Sequence, residues 1–274
     1  MATKLDEIIA VVRKRVDEMR HVRPLRELEN DVSRVKNAPR GFRAALLEAG
    51  KTRPAIIAEL KKASPSKGVI RGSYPVGGLA MQLEQAGAAA LSVLTEEHFF
   101  QGTLGHLLEA SAATHLPCLR KDFIVDEYQL FEARLNSADA VLLIAAALTD
   151  RELTSLNARA HELKMDVLCE VHDETELARA VSVGADMIGV NSRDLKTLRV
   201  NPALHAQLAD KLPRAALRVA ESGFKTGQDI AKLRAKSLEA QGYNAFLVGE
   251  SLMTADEPGS ALAQLMAEST AASA

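Results

Sequence analysis

Tryptophan is absent from these 274 residues, and aromatic residues make up only 4% of them. All-β sandwiches draw on aromatic and β-branched residues; an apolar fraction of 47% rich in Ala, Leu and Val suits helices packed on buried strands better. An excess of positive charge is missing too. With 34 Lys and Arg against 36 Asp and Glu, the net charge is −2 and the isoelectric point near 6.4, which leaves no basic footprint for nucleic acid or an anionic membrane. No apolar run approaches the roughly 18–20 residues that span a bilayer. The first residues mix acids into a periodic pattern, unlike a secretory signal, so a cytoplasmic monomer is expected. Cysteine is limited to Cys118 and Cys169, both in apolar strand-like runs, which predicts buried thiols and no disulfide. The seven His residues show no H-x-H or H-E-x-x-H spacing, so no metal is expected, and His172 is expected to be a bystander.

What is present alternates. Leu5, Ile8, Ile9, Val12, Val16 and Met19 recur at helix spacing, Pro24 breaks the pattern, and a short helix follows the Pro39-Arg40-Gly41 turn around Phe42–Ala49. From Pro54 onward, strand-like runs fall at 55–60, 90–96, 117–123, 140–148, 166–172, 187–193, 217–222 and 245–250. Amphipathic helical stretches separate them, and a phrase with a small residue recurs where helix gives way to strand (QAGAAALSVL, NSADAVLLI, SVGADMIGV, AQGYNAFLV). Eight continuously apolar strands alternating with helices predict an α/β fold, a (β/α)8 TIM barrel over residues 54–265 with a helical extension over 1–50, in a single domain. A doubly wound open sheet would usually show a G-x-G-x-x-G turn after an early strand, and none is present. Residues 266–274 read as a frayed tail.

Barrels of this kind carry their sites at the C-terminal ends of the strands, and charge collects there. The first run ends in Glu59 and Lys61, which period-two alternation puts on one side. The third ends in Arg120-Lys121-Asp122, the fifth in Glu170-Val171-His172 and the sixth in Asn191-Ser192-Arg193. The seventh ends in Glu221-Ser222-Gly223 and the eighth in Gly249-Glu250-Ser251. Contact with water accounts for charge at any one strand end. It does not account for the set, because the opposite ends (Pro54, Pro117, Ala140, Ala245) are apolar or small. Acids and bases gathered at one mouth shift one another's pKa values by charge and partial burial, as proton transfer requires. Gly223 follows Glu221-Ser222 and Gly249 precedes Glu250-Ser251, at the ends of the seventh and eighth strands, where barrels bind phosphate through backbone N–H groups. Ser64 of SPSKG, Glu250 and Ser251 are expected beside the same phosphate.

The ordered series IAELKKASPSKG, LRKDFI, LCEVHDETEL, GVNSRDLKT, ESG and LVGESLM closely resembles the indole-3-glycerol phosphate synthase family over residues 1–265. Leu60 and Phe224 stand where that family commonly has Ile. The resemblance implies a carbon–carbon lyase of tryptophan biosynthesis that uses no cofactor or metal. Its small-molecule phosphorylated substrate would be 1-(o-carboxyphenylamino)-1-deoxyribulose 5-phosphate: the ring carbon attacks the ketone, carbon dioxide leaves and water is lost. By motif, Lys121 would be the general acid of ring closure and Glu170 the acid–base group of the dehydration. Lys61 would hold the carboxylate, and Glu59 would position that lysine and the substrate amine. Asn191 and Arg193 would orient Glu170, Lys61 or the aromatic acid, while Glu221, Ser222 and Phe123 complete the contacts. The motifs leave open how acid and base work divides among Lys61, Lys121 and Glu170. Two other readings fit the same residues: a Schiff-base sugar-phosphate aldolase using Lys121 or Lys61, and a non-catalytic barrel that binds a phosphorylated ligand.

Overall fold

Each apolar run becomes a strand buried along nearly all its length. The strands are β1 (Ala55–Leu60), β2 (Ala90–Leu94), β3 (Cys118–Lys121), β4 (Ala140–Ile144), β5 (Asp166–Val171), β6 (Met187–Asn191), β7 (Leu217–Glu221) and β8 (Ala245–Val248). They pair in parallel and in chain order, and β8 closes on β1 to complete the barrel. The structure, a computed structural model, describes residues 3–240 and 242–271. Several strands stop short of the apolar runs at their C-terminal ends. β4 gives way to a 3-10 turn at Ala145–Ala147, and β8 ends two residues before a short helix that opens at Glu250. The polar residues of the runs therefore sit at strand tips and on the loops beyond them.

Outside the barrel run α4 (Val76–Gln85), α5 (Leu104–Ala113), α6 (Glu127–Leu135), α7 (Asp150–Glu162) and α8 (Glu174–Ser182). They are followed by α9 (Leu204–Ala209), α10 (Gly227–Ala240), α11 (Glu250–Met253) and α12 (Pro258–Ala271). Thr103, Asp126, Thr149 and Asp173 start four of these helices by accepting a backbone N–H in the first turn. The recurring phrase at the helix-to-strand junction is a left-handed residue: φ is +93° at Gly87, +61° at Ser137 and +75° at Gly184. Residues 266–271 continue α12, and Ser269 is buried, so the frayed tail expected from 266 is corrected to helix as far as Ala271. The apolar contacts of Leu262 and Leu265 anchor that helix. The rest of the expected tail, 272–274, lies outside the described residues.

The extension closes the barrel at both ends. In α1 (Lys4–Val22), a Thr3–Asp6 capping box fixes the start and Leu5, Ile8, Val12 and Val16 form the buried stripe. Ile8 of that stripe reaches the C-terminal mouth. α2 (Leu25–Ser33) packs along α6. α3 (Phe42–Gly50) seals the other end, with Phe42 and Leu46 fully buried beneath the strands. Arg40 enters that seal by bonding Asp139 through its backbone N–H at 2.7 Å and its Nε at 2.9 Å, and Asp139 in turn accepts from the Cys118 N–H at 2.7 Å. No helix among the described residues is long and apolar enough to cross a membrane.

Candidate active site

The strand tips open into one cavity of about 1010 Å³, and every residue the sequence assigned to the site lines it. Glu59 and Lys61 come from the tip of β1, and Ser64 from the loop that follows. Lys121 ends β3, with Phe123 just beyond; Glu170 comes from β5, Asn191 from the end of β6 and Arg193 two residues later. Glu221, Ser222 and Gly223 come from the end of β7, and Gly249, Glu250 and Ser251 follow β8. Alternation excludes Arg120, although the sequence groups it with these charges. It is fully buried behind β3, where its guanidinium bonds Asp122, Glu132 and the Gln129 carbonyl. Lys62 likewise stays out of the cavity lining.

Two lysines line the cavity, each beside acids. Lys61 Nζ donates to Glu59 Oε1 at 2.5 Å. Lys121 Nζ donates to Glu170 Oε2 at 3.1 Å and stands 3.7 Å from Glu221 Oε2. Burial works against the charge on Lys121, but Glu170 and then Glu221 and Glu59 outweigh it, so its pKa lies above the ordinary lysine value. Burial also opposes the charge of Glu170, and Lys121 first, then His172, overcome it and hold this carboxyl below its ordinary value. Glu59 is lowered for a similar reason, with Lys61 the main opponent of burial. Glu221 goes the other way. Burial, then the nearby Glu170 charge, push it well above the ordinary value, and neither of its carboxyl oxygens has a hydrogen-bond partner. The mouth thus gathers Lys61, Lys121, Glu59, Glu170 and Glu221 in one cavity, with the Glu221 carboxyl biased toward its protonated form.

Missing side chains shape the site as much as those present. A Cβ at Gly249 would lie 2.5 Å from Glu59 Oε1, and one at Gly189, inside β6, 2.1 Å from Glu221 Oε1. Both glycines leave room for a catalytic-type carboxyl to lie flat against backbone. Gly189 escaped the sequence reading, although a glycine inside a fully buried strand signals such a close approach. Ile8, Phe100, Leu142 and Ile144 also line the cavity and were missed, because apolar periodicity assigns such residues to the core. Phe100 and Phe123 lie with ring centroids 6.1 Å apart, an aromatic wall for a flat ligand. At the β7 tip, Ser222 (φ +68°) and Gly223 (φ +88°) turn the chain sharply. Arg193 does not reach Glu170 or Lys61; its Nη2 lies 3.4 Å from Glu250 Oε2, and Lys67 Nζ lies 2.6 Å from the other oxygen of Glu250. Asn191 Oδ1 accepts the Arg193 N–H at 3.0 Å. His172 stands against this wall, with its Nε2 3.3 Å from Glu170 Oε1.

A family model described as indole-3-glycerol phosphate synthase matches residues 5–265. The indole-3-glycerol phosphate synthase of Koribacter versatilis (strain Ellin345) is 49% identical over 266 residues, which is 97% of this chain and 100% of that protein. The one from Polaromonas naphthalenivorans (strain CJ2) is 46% identical over 272 residues, covering 98% of this chain and 100% of its own. Among solved structures, KGPDC from Streptococcus mutans superposes with a TM-score of 0.60 at 10% identity, over 81% of this chain and 100% of that one. Thiamine phosphate pyrophosphorylase from Pyrococcus furiosus gives 0.58 at 14% identity, over 81% and 98%. These two are similar in fold alone.

Proposed function

The chain belongs to the indole-3-glycerol phosphate synthase family, and from that premise we propose how its mouth converts 1-(o-carboxyphenylamino)-1-deoxyribulose 5-phosphate to indole-3-glycerol phosphate. The reaction is a lyase step of tryptophan biosynthesis. One observation carries the assignment of roles: the Lys121 ammonium stands beside Glu170 and Glu221 and shares one cavity with the Lys61–Glu59 pair. Lys121, held protonated, delivers its proton to the ketone oxygen as the ring carbon bonds to the ketone carbon. Loss of carbon dioxide returns the bonding pair to the ring. The new hydroxyl then leaves as water, with Glu170 taking a proton from the new five-membered ring and Lys61, freed of the departed carboxylate, supplying one to the leaving oxygen. Lys61, close to Glu59, holds the substrate carboxylate until it departs. The Phe100–Phe123 wall packs the aromatic ring, and Ser64, Ser222, Gly223, Gly249 and Ser251 anchor the phosphate at the turns after β1, β7 and β8. Glu250 holds Lys67 and Arg193 at that end. A Schiff-base aldolase needs a neutral amine, and the acids around Lys121 disfavour one.

The test is turnover of the synthetic substrate, followed by the absorbance and fluorescence of the indole product. The dephosphorylated substrate is expected to lose kcat as well as affinity, because binding energy at the anchor is used to position the reacting atoms. Equal kcat for both substrates sinks the phosphate anchor, and absence of indole product sinks the reading.

A further inference from the structure

We propose that His172, clamped by Glu176, is a positioning residue of this reaction: as an imidazolium it fixes the free oxygen of Glu170 and keeps that group an aligned base beside Lys121. The inference rests on the functional reading above and deepens the role of Glu170. His172 follows β5 and lies two residues beyond Glu170, so the two side chains share one side of the strand. Glu176, in the first turn of α8, accepts twice with one oxygen: from the His172 backbone N–H at 2.8 Å and from ring Nδ1 at 2.9 Å. A carboxylate only accepts, so Nδ1 carries a hydrogen. The other ring nitrogen, Nε2, then faces Glu170 Oε1 at 3.3 Å, off the hydrogen-bonding direction. A lone pair there would oppose a carboxylate oxygen at short range, whereas a protonated Nε2 sets positive charge against it. The three groups are buried together, with side-chain exposures of 11% for His172, 11% for Glu176 and 1% for Glu170.

The surrounding charges agree with a doubly protonated ring. Lys121 from β3, Glu221 from β7 and Glu59 from β1 act on Glu170. Asp173 and Glu176 from α8 and its cap, with Asp194 and Lys196 from the loop after β6, border the His172 side in a small chamber of about 230 Å³. Burial opposes the charge, yet Glu170 and Glu176 raise the pKa of His172 to about 10. The chamber shares Asn191 and Ser192 with the main cavity, so the clamp stands directly behind the catalytic wall.

His172→Ala is expected to lower kcat roughly 10–100-fold, the size typical of an outer partner that orients a reacting group, while KM stays within about threefold. Its acidic limb of kcat/KM against pH is expected to move up by roughly one unit, since Glu170 loses an opposite charge. His172→Gln keeps a polar side chain without the charge and is expected to move the limb in the same direction; it also serves if His172→Ala fails to fold. A fall in kcat with the limb unmoved in both variants overturns the proposal, because loosened packing alone produces that. Nitrogen NMR of the histidines in the whole wild-type enzyme at pH 8 should show both ring nitrogens of His172 protonated, and a neutral ring overturns the proposal whatever the activity. If wild type makes no indole product, the functional reading fails while the ring measurement still decides the clamp.

Discussion

A lysine amine 3.1 Å from one buried carboxyl and 3.7 Å from a second is a proton donor by its surroundings more than by its chemistry. Lys121→Ala removes that donor and is expected to lower kcat roughly 10²- to 10⁴-fold, with KM little changed because the carboxylate and phosphate contacts lie elsewhere. Steady-state kinetics with the indole product as readout checks this, and near-normal turnover would mean that another group supplies the proton. Gly249 is the counterpart by subtraction. Gly249→Ala puts a methyl 2.5 Å from Glu59 Oε1 and 2.9 Å from its Cβ, so Glu59 has to leave Lys61 or the β8 tip has to move. The expected result is a loss of about 1–3 kcal/mol of stability from overpacking, together with a raised KM. Urea unfolding and kinetics on one variant separate the two effects, and an unchanged KM would free Glu59 from its positioning role.

At the scale of elements, β3 carries Lys121 on its inner side and Arg120 on its outer side, and Arg120 ties the strand to the helices. Its guanidinium bonds Asp122 at 2.9 Å and Glu132 of α6 at 3.2 Å, and Glu132 also receives Arg15 of α1 at 3.2 Å. Arg120→Leu leaves two buried acids short of their partner and is expected to cost about 3–5 kcal/mol, read by urea unfolding; a cost below about 1 kcal/mol would show that water replaces the arginine. The strands were legible because a parallel barrel buries them on both faces and leaves an unbroken apolar run. The mouth was legible because Glu59, Lys61, Lys121, Glu170, Asn191 and Glu221 have no reason to end apolar runs except a shared cavity. The side that Arg120 takes was left open, since a run of three charged residues conceals which of them alternation turns inward. Ile8, Gly189 and His172 were not legible as site residues: their roles depend on which distant element faces them, and neither period nor composition carries that. The helix past 266 was missed because small polar residues resemble a tail until a neighbouring helix covers Ser269.

For the molecule as a whole, buried titrating groups tie stability to pH with opposite signs. The His172 pKa is raised, so its contribution is complete below the ordinary histidine value of about 6.5 and is lost as pH rises through about 10. Glu59 and Glu170 are depressed, so theirs is present above the ordinary carboxylate value of 4.5 and is lost as pH falls below it. The raised Glu221 works against the fold as pH climbs above 4.5. The gap in thermal midpoint between wild type and His172→Gln is therefore expected to be widest between about pH 4.5 and 6.5 and to narrow as pH rises from there through about 10. A gap independent of pH over that window would mean that His172 is uncharged in the fold.

Lys67, Glu250 and Arg193 join the loops after β1, β8 and β6 in a chain of ion pairs across the rim. All three are partly open to solvent, Lys67 by half, and exposed pairs of this kind hold with less than about 1 kcal/mol each. On the phosphate anchor proposed above, an arriving dianion would compete with Glu250 for the same two cations, which makes docking an exchange of anions and not the filling of a bare positive pocket. Dissolved ions enter the same competition, weakening the resident pairs along with the incoming one. On that reading ionic strength sets both the strength of the rim pairs and the grip on a phosphorylated product, which becomes a property of the buffer as well as of the protein.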